Sequence, residues 1–279
     1  MNIPFVKYHA LGNDFLTVES KTPWTRALGR KLAFRICDRK TGVGADGVLL
    51  ISPSKKAERR IDVFNADGSW AEKSGNGLRI AALHCLRKYR TRKSIVFEIG
   101  GRLDEVTILK RTKTGATVRA NLGSPDFRAS SVPIKSKSPY VINLPVKIGK
   151  TPVRLTALAV GNPHAVVVVD NFDFDWQSLG CAIETAPVFP NHTNVEFTRV
   201  INRRKIQVAE WERGVGPTGS SGTGAAASVA ACVTLGLVER KCEVKFEPGS
   251  LHIEWDTRTG SMLLTGPVEL VMSGEFVIA

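Results

Sequence analysis

The sequence lacks a hydrophobic run long enough to cross a bilayer. Its longest small-apolar stretch, Gly224 to Val238, is broken by Ser228 and Thr234 and falls short of the roughly 18 to 20 apolar residues that a spanning helix needs. The opening Met1-Asn2-Ile3-Pro4-Phe5 has neither the charged start nor the apolar core of a signal peptide, so a cytoplasmic chain with no membrane partner is expected. Cysteine is scarce: Cys37, Cys85, Cys181, Cys232 and Cys242 are widely spaced, odd in number, and form no Cys-x-x-Cys. That excludes a disulfide framework and a zinc knuckle, leaves no metal site to expect, and reads all five as small buried hydrophobes in a reducing compartment. No Gly-x-x-x-x-Gly-Lys-Ser/Thr phosphate loop is present. No Gly-x-Ser-x-Gly elbow is present either, since Thr223 takes the last glycine place after Ser221.

Acidic residues are outnumbered, 26 against 39 Lys and Arg, which leaves a net charge of +13. The basic residues come in short scattered groups, such as Lys55-Lys56, Arg59-Arg60 and Arg203 to Lys205, with no aromatic-interleaved stripe or finger motif among them. Solvated faces and attraction for an anionic small molecule account for this better than nucleic acid does, so no nucleic-acid partner is expected. Hydrophobic residues at 43% and charged residues at 23% are ordinary for a globular chain, and 279 residues suffice for two domains.

What the sequence does have is a repeat. Gly12-Asn13 returns as Gly161-Asn162, Ile61 as Ile206, and Gly68 as Gly214. Ser74-Gly75-Asn76-Gly77 returns as Ser221-Gly222-Thr223-Gly224, Cys85 as Cys232, and Phe97-Glu98 as Phe246-Glu247. These six correspondences keep one order and offsets of 145 to 149 residues, so the chain reads as a duplication. Domains are expected over 1–125 and 126–265, divided at the Gly123-Ser124-Pro125 to Pro133 loop.

Segments 61–64, 153–160, 165–169, 206–209 and 242–246 alternate or are β-branched, as strands are. After each Ser-Gly-x-Gly comes a proline-free apolar segment, Leu78 to Leu86 and Ala225 to Leu235, read as one helix per copy, buried on most faces. The expected class is α+β: two similar domains, each a β-sheet wrapped around a central helix.

Glycines around a serine at a helix start have a physical meaning. The first helical N–H groups are unpaired and carry partial positive charge, and glycine lets a ligand approach the backbone. One such copy would be a plain serine cap; two at matching positions point to paired anion cradles. Were the halves related by a pseudo-two-fold axis, the two helix starts would offer groups on either side of one substrate carbon. Inversion at that carbon needs such a pair, one group to take a proton and one to return it.

The residues Lys7 to Phe15, Cys37-Asp38-Arg39 with Gly42 to Gly47, Asn65 to Gly77, Gly161 to Val166, Phe189-Pro190, Asn194 to Phe197 and Glu212 to Gly224 carry a resemblance that covers essentially the whole chain. Through them the sequence closely resembles the diaminopimelate epimerase family. The resemblance implies cofactor-independent epimerisation of LL- to meso-diaminopimelate by two-base proton transfer, within lysine biosynthesis, on a small-molecule amino-acid substrate. It also implies a homodimer, and a final segment, 266–279, that packs back on the first domain.

By the same resemblance Asn13, Asn65, Asn162, Asn194, Glu212-Arg213, Gly75-Asn76 and Gly222-Thr223 hold the substrate, while His164 and Glu212 adjust the acidity of the catalytic groups. A guanidinium such as Arg213 suits a carboxylate on geometric grounds too. The family's two catalytic positions hold cysteine; here they are Ser74 and Ser221. A hydroxyl is far less acidic than a thiol. The alternatives are therefore an amino-acid-binding homologue without turnover, a Cys-to-Ser variant, or a related isomerase or dehydratase.

Overall fold

A computed structural model describes residues 2–87, 89, 91–149 and 151–277. The chain divides into two units: one runs to Asn121 and resumes at Thr265, and the other is Leu122–Leu264. The first junction lies ahead of residue 125 because Leu122 N donates to Met262 O at 2.9 Å and Met262 N to Gly123 O at 2.8 Å, which ties the start of the loop into the second unit.

The first unit contains β1 (Asn2–Ala10), β2 (Asn13–Glu19), α1 (Arg26–Ile36), β3 (Gly47–Ser52), β4 (Arg59–Asn65), β5 (Trp70–Ala71), α2 (Gly75–Leu86), β6 (Ser94–Ile99), β7 (Arg102–Arg111) and β8 (Gly115–Asn121). The strand Met262–Val277 pairs with β8 and runs antiparallel to β1 from Asn2↔Val277 to His9↔Glu269. The order β1-β2-β3-β4-β6-β7-β8 and this last strand then closes on β1, so eight strands form a barrel. Helix α2 packs against six of them, β1, β2, β3, β6, β7 and β8. Gly75 to Leu83 are buried without interruption, Asn76 and Arg79 included, so this helix is enclosed on all faces rather than along one stripe.

The second unit repeats this order. After a short 3₁₀ turn come β9 (Val141–Ile148), β10 (Thr151–Ala159), β11 (Pro163–Val168), α3 (Trp176–Glu184), β12 (Asn194–Asn202), β13 (Lys205–Glu212), β14 (Gly216–Thr218), α4 (Gly222–Thr234), β15 (Lys241–Phe246) and β16 (Gly249–Trp255), and the strand already described, β17 (Met262–Val277), begins here and runs on into the first unit. In both units a parallel pair spans each helix: β2/β3 across α1, β4/β6 across α2, β11/β12 across α3 and β13/β15 across α4. Parallel strands need such a crossover.

One helix per copy was expected, and among the described residues each unit has two α-helices. Helix α1 buries Gly29, Leu32, Ala33 and Ile36, spaced at i, i+3, i+4 and i+7, on a cluster with Leu16, Val18, Val48, Leu50 and Phe64. Helix α3 puts Ile183 on Val153, Leu155, Val167, Val195 and Phe197. Strands covered by helices on both faces read as continuous apolar runs, and all six residues of β3 are buried. The cysteine expectation also needs correction. Cys37, Cys232 and Cys242 are buried, Cys85 is half-buried, and Cys181 is exposed on α3.

Candidate active site

In the first unit Ser74 caps α2 with an extended backbone (φ −139°, ψ 117°), and its Oγ accepts from Gly77 N at 3.0 Å. A Cβ at residue 77 would lie 2.9 Å from Leu49 Cδ2 and 3.2 Å from Ser74 Oγ, so glycine lets the cap close without displacing either side chain. Asn76 Nδ2 donates to Asn13 Oδ1 at 2.9 Å, and Asn13 Nδ2 donates to Asp46 Oδ2 at 3.0 Å. Asn65 holds the β4–β5 turn, donating from Nδ2 to Ser69 Oγ at 3.0 Å.

Around this start lies an ionic frame whose members carried no assigned role in the sequence reading. Asp14 binds Lys7 at 2.8 Å and Arg39 at 2.9 Å, and Arg39 also reaches Asp46 at 2.8 Å. Burial raises the Asp14 pKa, but hydrogen bonds from Lys7, Arg39 and the Asp46 amide outweigh it and hold the carboxyl below the usual range. Lys73, next to Ser74, is buried against Asp104 at 2.9 Å; burial pushes its pKa down while Asp104 opposes. Arg79 is fully enclosed, donates to Gly75 O and Asn76 Oδ1, and has no partner at Nη1.

In the second unit Ser221 caps α4 in the same way (φ −131°, ψ 137°), accepting from Gly224 N at 3.1 Å. Thr223 Oγ1 lies 3.4 Å from Ser221 Oγ. His164, on β11, is fully buried; Nδ1 is 2.5 Å from Glu196 Oε1 and Nε2 is 2.9 Å from Asn162 Oδ1. Burial pushes the imidazole down to about 3, with the Glu212 charge raising it and Arg213 lowering it. Burial, helped by the Glu212 charge, raises Glu196 well above a carboxylate's ordinary value. One arrangement satisfies both: a protonated Glu196 donates to Nδ1, and the neutral ring donates from Nε2–H to Asn162. Asn194 accepts from Arg213 N at 2.9 Å and donates to Pro163 O at 2.8 Å, so it fixes the backbone that presents the Arg213 side chain. Glu212 accepts from Thr218 Oγ1 at 3.2 Å across the β13–β14 turn. Trp211 Nε1 and Gly214 N both donate to Glu184, which holds that turn against α3.

Each helix therefore begins with a hydroxyl that has already accepted one backbone N–H, flanked by further N–H groups of its first turn. Such a start stabilises negative charge on a bound carboxylate. The buried thiols do not compete for this role, since burial pushes Cys37, Cys85 and Cys232 up to about 12. Among the described residues no group of three or more His, Cys, Asp or Glu is arranged to hold a metal ion.

The chain matches the diaminopimelate epimerase family over residues 5–127 and 156–271. It is 37% identical over 281 residues to the diaminopimelate epimerase of Heliobacterium modesticaldum, covering 97% of this chain and 98% of that one. It is 38% identical over 282 residues to that of Caldanaerobacter subterraneus, covering 98% and 99%. Among solved structures it superposes on a hydroxyproline epimerase from Agrobacterium vitis with bound trans-4-hydroxy-L-proline, at a TM-score of 0.75 and 13% identity over 98% of this chain and 90% of that one. A probable proline racemase from Agrobacterium radiobacter gives a TM-score of 0.73 at 15% identity, over 99% and 93%. These two share the fold. With a family match across most of its length and full-length relatives above a third identical, the chain belongs to the diaminopimelate epimerase family.

Proposed function

We propose that this protein interconverts LL- and meso-diaminopimelate by moving the proton at one α-carbon, without a cofactor, as a step of lysine biosynthesis in the cytoplasm. The observation that carries the reading is the duplicated cap. Ser74 and Ser221 hold the same position at the start of α2 and α4, and each accepts the third amide of its helix. Family membership supports the substrate, since the relatives named above are diaminopimelate epimerases.

In this reading Ser74 and Ser221 supply the two acid–base groups that epimerisation needs. Removing the α-proton leaves an electron pair that spreads into the adjacent carboxylate. Helix-start amides and a guanidinium are the groups that stabilise such charge, and Gly75-Asn76, Gly222-Thr223 and Arg213 are proposed for that role. Asn13, Asn65, Asn162 and Asn194 belong to the same substrate-binding proposal, and His164 and Glu212 tune the acidity on the second unit's side. A homodimer is part of the proposal, read out by sedimentation equilibrium.

A second reading, an amino-acid-binding protein without turnover, is favoured by one feature: a hydroxyl gives up its proton far less readily than a thiol. The two readings separate when LL-diaminopimelate is incubated with the parent, Ser74→Ala, Ser221→Ala and Ser74→Cys/Ser221→Cys, and the stereoisomers are resolved by chiral chromatography. The epimerase reading expects conversion by the parent, loss in each alanine variant, and faster conversion by the double cysteine variant. Binding of diaminopimelate with no conversion by the parent or the double cysteine variant supports the second reading.

A further inference from the structure

Strand β13 alternates between two faces, and Ile206, Val208 and Glu210 are its buried positions. The first two are apolar, as an enclosed face requires. The third is a carboxyl at 1% exposure; its oxygens make no hydrogen bond of ordinary geometry, and the Ser221 hydroxyl is near enough to act on it. A buried polar group without a well-formed hydrogen bond destabilises a fold, so its presence calls for an explanation.

Its position shows what that is. The carboxyl rests on the first turn of α4: a Cβ at residue 224 would lie 2.6 Å from Glu210 Oε2 and 2.7 Å from Oε1. Gly224 is the residue whose N–H is accepted by Ser221 Oγ. The buried carboxyl thus lies against the turn that carries the proposed acid–base serine, and the Ser221 hydroxyl lowers its pKa in part. Across the sheet Glu210 is the register partner of Glu196, which is bonded to His164 and through it to Asn162. Glu196 Oε2 has no hydrogen-bond partner. Three buried titratable groups, His164, Glu196 and Glu210, therefore lie on neighbouring strands, with Glu210 next to the Ser221 cap.

We propose that Glu210 is the proton-relay partner of Ser221, so that hydroxyl and carboxyl together do the work of a single thiol. In abstraction the substrate Cα–H bond breaks and its electron pair stays on the substrate, spread into the carboxylate. The proton joins Ser221 Oγ while the hydroxyl's own proton passes to the Glu210 carboxylate. Delivery runs the same transfers backwards: Glu210 gives its proton to Oγ as Oγ gives one to the carbanion. Burial, with Glu196 and Glu212 as like charges and the Ser221 hydroxyl opposing, raises the Glu210 pKa well above its ordinary value, so the resting pair is poised to donate. The inference rests on the epimerase reading above.

The test compares the parent, Glu210→Gln, Glu210→Asp, Ser221→Cys and Ser221→Cys/Glu210→Gln. For each, kcat and KM for stereoisomer interconversion and deuterium uptake at the α-carbon from heavy water are measured, with a thermal melt as a check of folding. A relay role predicts that Glu210→Gln lowers kcat about a hundredfold or more with KM little changed, and that Glu210→Asp recovers part of the loss. It predicts that the same change costs at most about tenfold in the Ser221→Cys background, because a thiol carries its own proton. A Glu210→Gln variant that keeps the parent's kcat overturns the relay while leaving the epimerase reading standing. So does an equal loss in both backgrounds, which marks Glu210 as structural only. A parent that neither exchanges nor interconverts removes the epimerase reading, and the relay with it.

Discussion

Replacing Lys73 by Met should unsettle the first unit sharply, because it removes the cation facing a buried carboxylate. The Lys73 and Asp104 side chains are 3% and 7% exposed and meet at 2.9 Å, and Asp104 Oδ2 already lacks a partner. Breaking such a pair from one side leaves an uncompensated buried charge and costs about 3–5 kcal/mol. For a chain of this size about 1 kcal/mol moves the melting temperature by roughly 2–4 °C, so Lys73→Met should melt about 6–20 °C below the parent. Removing both partners is a different perturbation. Lys73→Met/Asp104→Leu trades two desolvated charges for apolar packing, an exchange that is often neutral or stabilising by about 1–4 kcal/mol. Scanning calorimetry of the parent, the single variant and the double variant checks both halves of the reasoning. A single variant melting within about 2 °C of the parent would refute it. So would a double variant no better than the single.

Arg213→Met should weaken diaminopimelate binding by about 2–5 kcal/mol, roughly thirtyfold or more, since a bound carboxylate loses its charged partner. The bond from the Arg213 backbone to Asn194 remains, so calorimetry with unchanged affinity would remove Arg213 from the substrate site rather than report a displaced loop. Glu210→Val should change how stability depends on pH. The buried carboxyl stays protonated above its ordinary value of 4.5, where the unfolded chain ionises. The folded state then binds more protons than the unfolded one, and each pH unit above that value takes up to about 1.4 kcal/mol from the parent's stability. Thermal melts should show the valine variant's advantage widening from about pH 5 to about pH 7, and parallel curves would contradict the assignment.

The duplication was legible because both copies keep the same small residues at the same turns, and the two enclosed helices showed as long proline-free apolar segments. The outer helices were not. Helix α1 carries Arg26, Arg30, Lys31 and Arg35 among eleven residues, so its apolar stripe is only Leu32, Ala33 and Ile36 beside a glycine. Helix α3 is nine residues long, too short for a periodicity to stand out. Asp14, Arg39 and Asp46 are separated along the chain and become a frame only once β1, β2 and β3 pair. Glu210 was within reach of sequence reasoning: extending the Ile206, Val208 alternation by one step puts a carboxyl on an enclosed face. Ser74 and Ser221 were found by the duplication of their glycine context and by the family resemblance. The proton that each would carry depends on buried neighbours brought in by other strands.

The most direct test of the account is α-proton exchange by the unmodified protein. LL-diaminopimelate is incubated with it in heavy water, and deuterium at the α-carbon and the LL-to-meso ratio are followed together. The account predicts that deuterium enters as the meso isomer accumulates, in proportion to enzyme, and that both signals vanish in Ser74→Ala/Ser221→Ala. Bound diaminopimelate that keeps its α-proton and its configuration would contradict it.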